Sequence, residues 1–147
     1  MYQQILVATD GSELSQKAVD SAISLASLTG AGLIAIKVVP RYPQSYFEGG
    51  LALTALDVGR IEKQWSDEGQ GVVEGVKQAA LARGVKALAI TIQSDVVSDA
   101  IIATAKKYQC DLIVMASHGR KGVERLLLGS ETQQVLTHSH IPVLVLR

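Results

Sequence analysis

The segment from Met115 to Ser130 contains the residue types that could hold a phosphate group. Gly119 allows the backbone to turn tightly and to approach a ligand closely. Gly129 and Ser130 place backbone amides and a hydroxyl at the start of a predicted helix, where the helix dipole favours an anion. We therefore interpret these residues as a phosphate-binding loop, with a simple N-cap role of Ser130 as the alternative.

A second polar loop, Thr9-Asp10-Gly11-Ser12, follows the first predicted strand. Turn chemistry alone favours Asp10 as the cap of the next helix, and binding of a ligand is the alternative. The loop lacks the Gly-x-Gly-x-x-Gly pattern of a dinucleotide site, and the chain lacks the Gly-x4-Gly-Lys-Ser/Thr pattern of a P-loop. Ordinary NAD-binding and P-loop sites are therefore disfavoured.

Glu131 directly follows Ser130 and has two opposing effects. A carboxylate in the first turn interacts favourably with the helix dipole, but it repels a bound phosphate. A divalent cation between the two would remove the repulsion, because hard cations prefer oxygen ligands. Mg²⁺ or Mn²⁺ is therefore a conditional expectation.

Other residues that could do chemistry have simpler interpretations. The three histidines, His118, His138 and His140, lack the spacing of a metal site and are predicted to lie at the surface. Trp65 is predicted to pack against the protein. A basic group is interpreted as solvated loop, with one or two contacts to phosphate as the alternative: Arg120, Lys121 and Arg125. An aromatic group is interpreted as a partly packed loop, with a flap over the ligand or an interaction surface as the alternative: Tyr42, Tyr46 and Phe47.

These loops must be positioned by a regular alternation of strands and helices. Four helices are predicted. The first begins near Ser12, the second carries apolar residues from Ile61 to Ala80, the third begins at Ser94-Asp95, and the fourth runs from Gly129-Ser130 to about His138. Glycines in the second helix predict bending or fraying. Five apolar runs between them have strand length: Ile5–Ala8, Leu33–Val39, Ala87–Ile92, Asp111–Ala116 and Ile141–Leu146. The alternation predicts a doubly wound parallel α/β sheet.

Composition limits the class of protein. With 147 residues, 48% hydrophobic and 19% charged, the chain is expected to form one domain over residues 1–147. Lys plus Arg equal Asp plus Glu at 14 each, which disfavours nucleic-acid binding. No signal peptide or membrane span is evident, so the cytoplasm is the expected location. Cys110, the only cysteine, is predicted to be a small core residue.

The chain resembles the universal stress protein family. ATP-binding members carry Gly-x2-Gly-x9-Gly-Ser/Thr after the fourth strand, and Gly119, nine residues and Gly129-Ser130 match this pattern, whereas Ala116 stands at its first glycine. The resemblance extends from Ile5–Ser12 to Ile141–Leu146. It implies a Rossmann-like fold with strand order 3-2-1-4-5, which brings the loops after strands one and four to one crevice.

The resemblance also implies a nucleotide site. Asp10 would lie near the adenosine, and the backbone of Val38 would bind adenine. Met115 and Ala116 would line the ribose side, and Gly119, Gly129 and Ser130 would hold the phosphates. The complete predicted ATP-binding set is Thr9, Asp10, Val38, Met115, Ala116, Ser117, His118, Gly119, Arg120, Gly129, Ser130, Glu131 and Thr132.

Three functional hypotheses follow. The leading one is an ATP-binding regulator with slow or no hydrolysis, dimeric through its C-terminal strand, with a protein partner that is unknown. The second is a nucleotide-free adaptor or chaperone-like dimer, which Ala116 keeps open. The third, an ATP-dependent ligase or hydrolase, would need further catalytic residues that the motifs do not contain.

Overall fold

The fold is a five-stranded parallel sheet with helices on both faces. The computed structural model describes residues 1–43, 54–118 and 128–147. Within them the strand order is β3-β2-β1-β4-β5. The strands are β1 (Gln4–Ala8), β2 (Gly32–Val39), β3 (Ala87–Gln93), β4 (Leu112–Ala116) and β5 (Val143–Leu146), and the helices are α1 (Glu13–Thr29), α2 (Ala55–Leu81), α3 (Val97–Lys107) and α4 (Ser130–His138). This confirms the predicted fold class and strand order.

Several predicted boundaries shift by one to three residues, as at β5, which begins at Val143 and not at Ile141, and two of the shifts accompany local hydrogen bonds. The Ser94 hydroxyl accepts a hydrogen bond from the backbone N–H of Val96 at 3.1 Å, which forms a turn, so α3 begins only at Val97. Asp111 lies outside β4 because its carboxylate accepts hydrogen bonds from the backbone N–H groups of Gln3 and Gln4, at 2.8 and 3.1 Å. Asp111 thereby ties the N-terminus to the start of β4.

The alternation of side chains along the strands builds two cores. One core lies beneath α1 and α2, and includes Val7 of β1 and Val114 of β4. The other lies beneath α3 and α4, and includes Leu6, Met115 and Cys110. Cys110 is buried, which confirms its predicted place in the core. The near-continuous apolar sequence of each central strand follows from burial on both faces.

Helix α2 runs without interruption through Gly69, Gly71 and Gly75. Its start is fixed by a capping box, in which the Thr54 side chain accepts from the Asp57 N–H while the Asp57 carboxylate accepts from the Thr54 N–H. Gly69 has a packing function, since a Cβ there would lie 3.0 Å from Lys37 Cγ and from Val39 Cγ1. The glycine lets the helix approach β2 closely.

Among the helices of the described segments, none is both long and apolar enough to cross a membrane.

Candidate functional site

The candidate site lies at the carboxyl edge of the sheet, beyond the end of β1. Strands β1 and β4 are neighbours, with Val7 paired to Val114. The chain leaves β1 for α1 on one face and leaves β4 for α4 on the other. The two exits therefore diverge, as they do at the switch point of a doubly wound sheet. We call the space between them, flanked by Val38 on β2 and Ala116 on β4, the crevice.

The β1 exit is a tight turn held by its own side chains. Thr9 is buried, and its Oγ1 lies 3.0 Å from Ser15 Oγ and accepts from the Gly11 N–H at 3.2 Å. Asp10 Oδ1 accepts from the Ser12 N–H at 2.9 Å. Ser12, not Asp10, is the N-cap of α1 and accepts from the Ser15 N–H. The interpretation of Asp10 as the helix cap is therefore wrong, since its carboxylate forms the turn that precedes the cap.

The β4 exit is fixed by the backbone of Ser117. Its N–H donates to the Leu146 carbonyl at 2.7 Å, and its carbonyl accepts from the Gly129 N–H at 2.7 Å. Its Oγ lies 2.9 Å from Nδ1 of the half-buried His118. Ser117 is only 1% exposed, and its backbone joins the end of β4 to the end of β5 and to the residue before α4.

Helix α4 starts at Ser130 with Gly129 as its N-cap. Ser130 is therefore not the N-cap, and that alternative is wrong. The Ser130 hydroxyl donates instead to Glu131 Oε2 at 3.0 Å, and both side chains are exposed. The space at 129 is tight, because a Cβ there would lie 3.2 Å from the Ser117 carbonyl oxygen and 3.4 Å from His118 Cα, so a larger residue would displace the backbone slightly.

The N-terminus of α4 differs from those of α1 and α2. Ser12 and Thr54 cap those helices with their side chains, whereas no side chain of the described residues caps α4. The first turn of a helix leaves N–H groups without an intrahelical acceptor. The amides of residues 130–132 and the positive end of the helix dipole thus suit an anion, with the Glu131 carboxylate beside them.

Buried Thr132 anchors this turn to β4. Its Oγ1 donates to the Ala116 carbonyl at 3.0 Å and also lies 3.3 Å from the Ser117 carbonyl. The predicted Thr132 is thus brought to the site as a support, with its side chain only 3% exposed.

On the β2 flank of the crevice, the backbone of Val38 faces the side of β2 on which β1 lies. The Ile36 carbonyl accepts from the Thr9 N–H on the β1 side, while the Val39 carbonyl accepts from Ser94 on the β3 side. Both polar groups of one residue in a parallel strand face the same neighbour, and successive residues alternate. Val38 therefore directs its N–H and carbonyl towards β1, past the last β1–β2 pair, Ala8 with Ile36.

The remaining predicted residues differ in their placement. Met115 and Ala116 are only 6% and 7% exposed, and the Met115 side chain lies in the core beneath α3 and α4. Gly119 and Arg120 lie outside the described residues, as do Lys121, Arg125, Tyr46 and Phe47. The described residues contain no cluster of three potential metal ligands.

The sequence interpretation missed Ser15 and Gln133. Ser15 lies three residues after the cap of α1 and is absent from the predicted site, yet it is buried and its hydroxyl lies 3.0 Å from that of Thr9. Gln133 donates through Nε2 to the Leu128 carbonyl at 2.8 Å and thereby connects α4 to the residues that precede it. No local sequence pattern indicated either of these contacts.

Fold and site together define a doubly wound α/β protein with a crevice at its switch point. The model of the universal stress protein family matches residues 1–147, and the chain belongs to that family. It is 36% identical over 147 residues to universal stress protein MJ0531 of Methanocaldococcus jannaschii, covering all of this chain and 83% of that protein.

Two solved structures share the fold. Universal stress protein UspA from Lactobacillus plantarum superposes with a TM-score of 0.81 at 26% identity, covering 99% of this chain and 98% of that one. A universal stress protein in complex with cAMP superposes with a TM-score of 0.71 at 26% identity, covering 99% and 97%.

Proposed function

We propose that this protein binds ATP in the crevice and acts as a dimeric regulator within the stress response of its family. The observation that carries the proposal is the start of α4, which has no side-chain cap among the described residues, beside a crevice towards which Val38 directs its backbone past the last β1–β2 pair. The α4 end of the crevice suits phosphate, and the Val38 end suits a base. The site residues predicted from the sequence are retained as the proposed binding set.

At the phosphate end, the amides of Ser130, Glu131 and Thr132 would hold oxygens of the phosphates. Thr132 keeps this turn in place through the Ala116 carbonyl. The exposed Glu131 carboxylate would repel phosphate directly, so Mg²⁺ or Mn²⁺ between them would strengthen binding. Gly119 and Arg120 complete the proposed phosphate contacts.

At the base end, the Val38 N–H and carbonyl form a donor–acceptor pair. Adenine presents a ring acceptor beside an amino donor, which complements such a pair. Guanine presents a carbonyl acceptor beside a ring donor at the same edge, so it offers the reverse pattern. Asp10, held by Ser12 at the β1 exit, would lie between the two ends, near the ribose.

The cAMP complex supports an adenine nucleotide as the ligand class, because that protein shares the fold over nearly its whole length. Regulation by binding is favoured over rapid turnover. The sequence lacks the Gly-x4-Gly-Lys-Ser/Thr pattern that supplies the lysine and the magnesium-binding hydroxyl of efficient P-loop enzymes. Hydrolysis is therefore proposed to be slow.

Dimerisation is proposed through β5, which forms one edge of the sheet. The Pro142 and Leu146 carbonyls accept from Ile113 and Ser117 of β4, so Val143 and Val145 direct their polar backbone groups outward. An exposed edge of this kind invites pairing with another strand. A second copy in antiparallel orientation would cover it.

Calorimetric titration with ATP and Mg²⁺ tests the proposal. Wild-type protein should give saturable heat, and Gly129→Ala should weaken binding by about tenfold because the added Cβ displaces the α4 start. Gly75→Ala is the matched control, since a Cβ there meets nothing within 4 Å. Absence of saturation at millimolar ATP would reject nucleotide binding and favour the nucleotide-free adaptor, for which Ala116 is the supporting feature.

A further inference from the structure

One carboxylate on α2 holds the ends of two adjacent strands. Glu62 Oε2 accepts from the backbone N–H of Tyr42 at 3.0 Å and from Nε2 of Gln93 at 2.8 Å. Tyr42 lies just beyond the end of β2, and Gln93 is the last residue of β3. Hydrogen bonds to an ionised acceptor are stronger than those between neutral groups. Glu62 therefore links both strand exits to the helix.

Two further contacts hold the segment after β2. The Tyr42 ring stacks on Trp65, with centroids 6.1 Å apart and planes 20° from parallel. Trp65 follows Glu62 on the same face of α2. Asp95 Oδ1 accepts from the Arg41 N–H at 3.3 Å. Residues 41 and 42 are thus fixed by α2 on one side and by the β3–α3 connection on the other.

These contacts hold Tyr42, which lies four residues after Val38. Beyond the Ala8–Ile36 pair, the strand pairing of β2 within the described residues is with β3, from Lys37 with Thr91 to Val39 with Gln93. The position of the Val38 edge therefore depends on β3 and on the path that the chain takes after β2. Glu62 fixes that path and the end of β3 with the same atom.

We propose that Glu62 is a positioning residue for base recognition at the Val38 edge, an inference that rests on the proposed adenine-nucleotide function. Glu62 acts through Tyr42 and Gln93 and does not contact the nucleotide. Hydrogen bonds weaken steeply as their angles deteriorate, so a small displacement of Val38 impairs contacts to the base. Contacts to the phosphates, made by α4 on the opposite flank, do not depend on Glu62.

The test compares ATP with inorganic tripolyphosphate, which has the phosphates but no base. Glu62→Ala should weaken ATP binding by about five- to tenfold and leave tripolyphosphate binding, measured by its displacement of ATP, unchanged. Glu62→Gln should restore ATP affinity, because its amide oxygen can accept both hydrogen bonds. Glu68→Ala is the matched control, since Glu68 is exposed on the same helix and bonds only locally, to Gln64.

Trp65 is the only tryptophan in the chain and gives a second readout. ATP should shift its fluorescence in the wild-type protein and in Glu62→Gln, but far less in Glu62→Ala. Gln93→Ala, which removes one donor and keeps the other, should show a smaller loss of ATP affinity and secures the test if Glu62→Ala folds poorly. Wild-type ATP affinity in Glu62→Ala, or an equal loss for ATP and tripolyphosphate, would overturn the inference. Failure of the wild-type protein to bind ATP would instead remove the proposed function and this inference with it.

Discussion

The buried hydroxyl of Thr132 donates a hydrogen bond to the Ala116 carbonyl at 3.0 Å and thereby joins the first turn of α4 to the end of β4. Ala116 lies past the last β1–β4 pair, Val7 with Val114, so its carbonyl lies beyond the hydrogen bonds that join these two strands. A side chain from α4 satisfies it. On the opposite flank, the Val38 backbone edge is directed towards the crevice, where we propose that it binds the base.

Removal of the Thr132 hydroxyl should weaken both the fold and the site. Thr132→Val keeps the shape but leaves the Ala116 carbonyl without this donor, which should cost about 1–2 kcal/mol of unfolding free energy. ATP affinity should fall severalfold because the α4 turn loosens. Urea denaturation and calorimetry check this, with exposed Thr137→Val as the control on the same helix. Equal stability of the two variants would contradict the assigned role.

Helix α2 contains glycines with opposite expected effects. Gly75→Ala should raise the unfolding free energy by about 0.5–1 kcal/mol, because alanine restricts the unfolded chain and meets nothing within 4 Å. Gly69→Ala should lower it by about 1–3 kcal/mol, because its Cβ would press on Lys37 and Val39. Thermal denaturation of the two variants measures the difference, and the same sign for both would refute the packing account of Gly69.

Stability should fall at alkaline pH because of Cys110. Burial first, and the Asp111 charge second, raise the pKa of its thiol from 9.0 to about 11. Between these values the unfolded chain loses a proton that the folded protein retains, so the unfolding free energy should drop by roughly 1–2 kcal/mol as pH rises from 9 to 11. Cys110→Ala should lack this component. Parallel pH curves for the two proteins would show that the thiol does not contribute.

Charge at the β5 edge should prevent dimerisation. Leu144 is 39% exposed in the middle of β5, and antiparallel pairing of two copies through this strand would bring their Leu144 side chains close together. Leu144→Lys should therefore give a monomer by light scattering at micromolar concentration, through repulsion and lost apolar contact. Leu81→Lys, at an exposed position of α2, should stay dimeric. A wild-type monomer under these conditions would refute the dimer itself.

The sequence predicts the fold well because its signals are local and mutually consistent. Apolar runs such as Leu33–Val39 are too short for buried helices and alternate with helical patterns, so the parallel sheet follows from connectivity alone. The helical pattern of α1 is followed by Gly30, which is typical of a helix end, and the structure places Gly30 at the C-cap. The glycines of α2 misled, because an exposed glycine weakens a helix without ending it when the opposite face is packed.

The site was less predictable because its hydrogen bonds join residues distant in the chain. The pattern of Gly129 and Ser130 marked the start of α4, but either residue fits an N-cap, and only the contact with Ser117 decides for Gly129. Capping rules likewise could not distinguish Asp10 from Ser12, because both residue types are favoured at a helix N-cap. The roles of Thr132 and Glu62 depend on tertiary contacts with Ala116, Tyr42 and Gln93, which no local pattern encodes.

The most direct test of the central claim is a crystal structure of the protein grown with excess ATP and Mn²⁺. Electron density should place the phosphates at the amides of residues 130–132, the adenine edge against the Val38 backbone, and the anomalous signal of manganese near Glu131. An empty crevice at millimolar ATP, or a nucleotide bound elsewhere on the protein, would contradict the account.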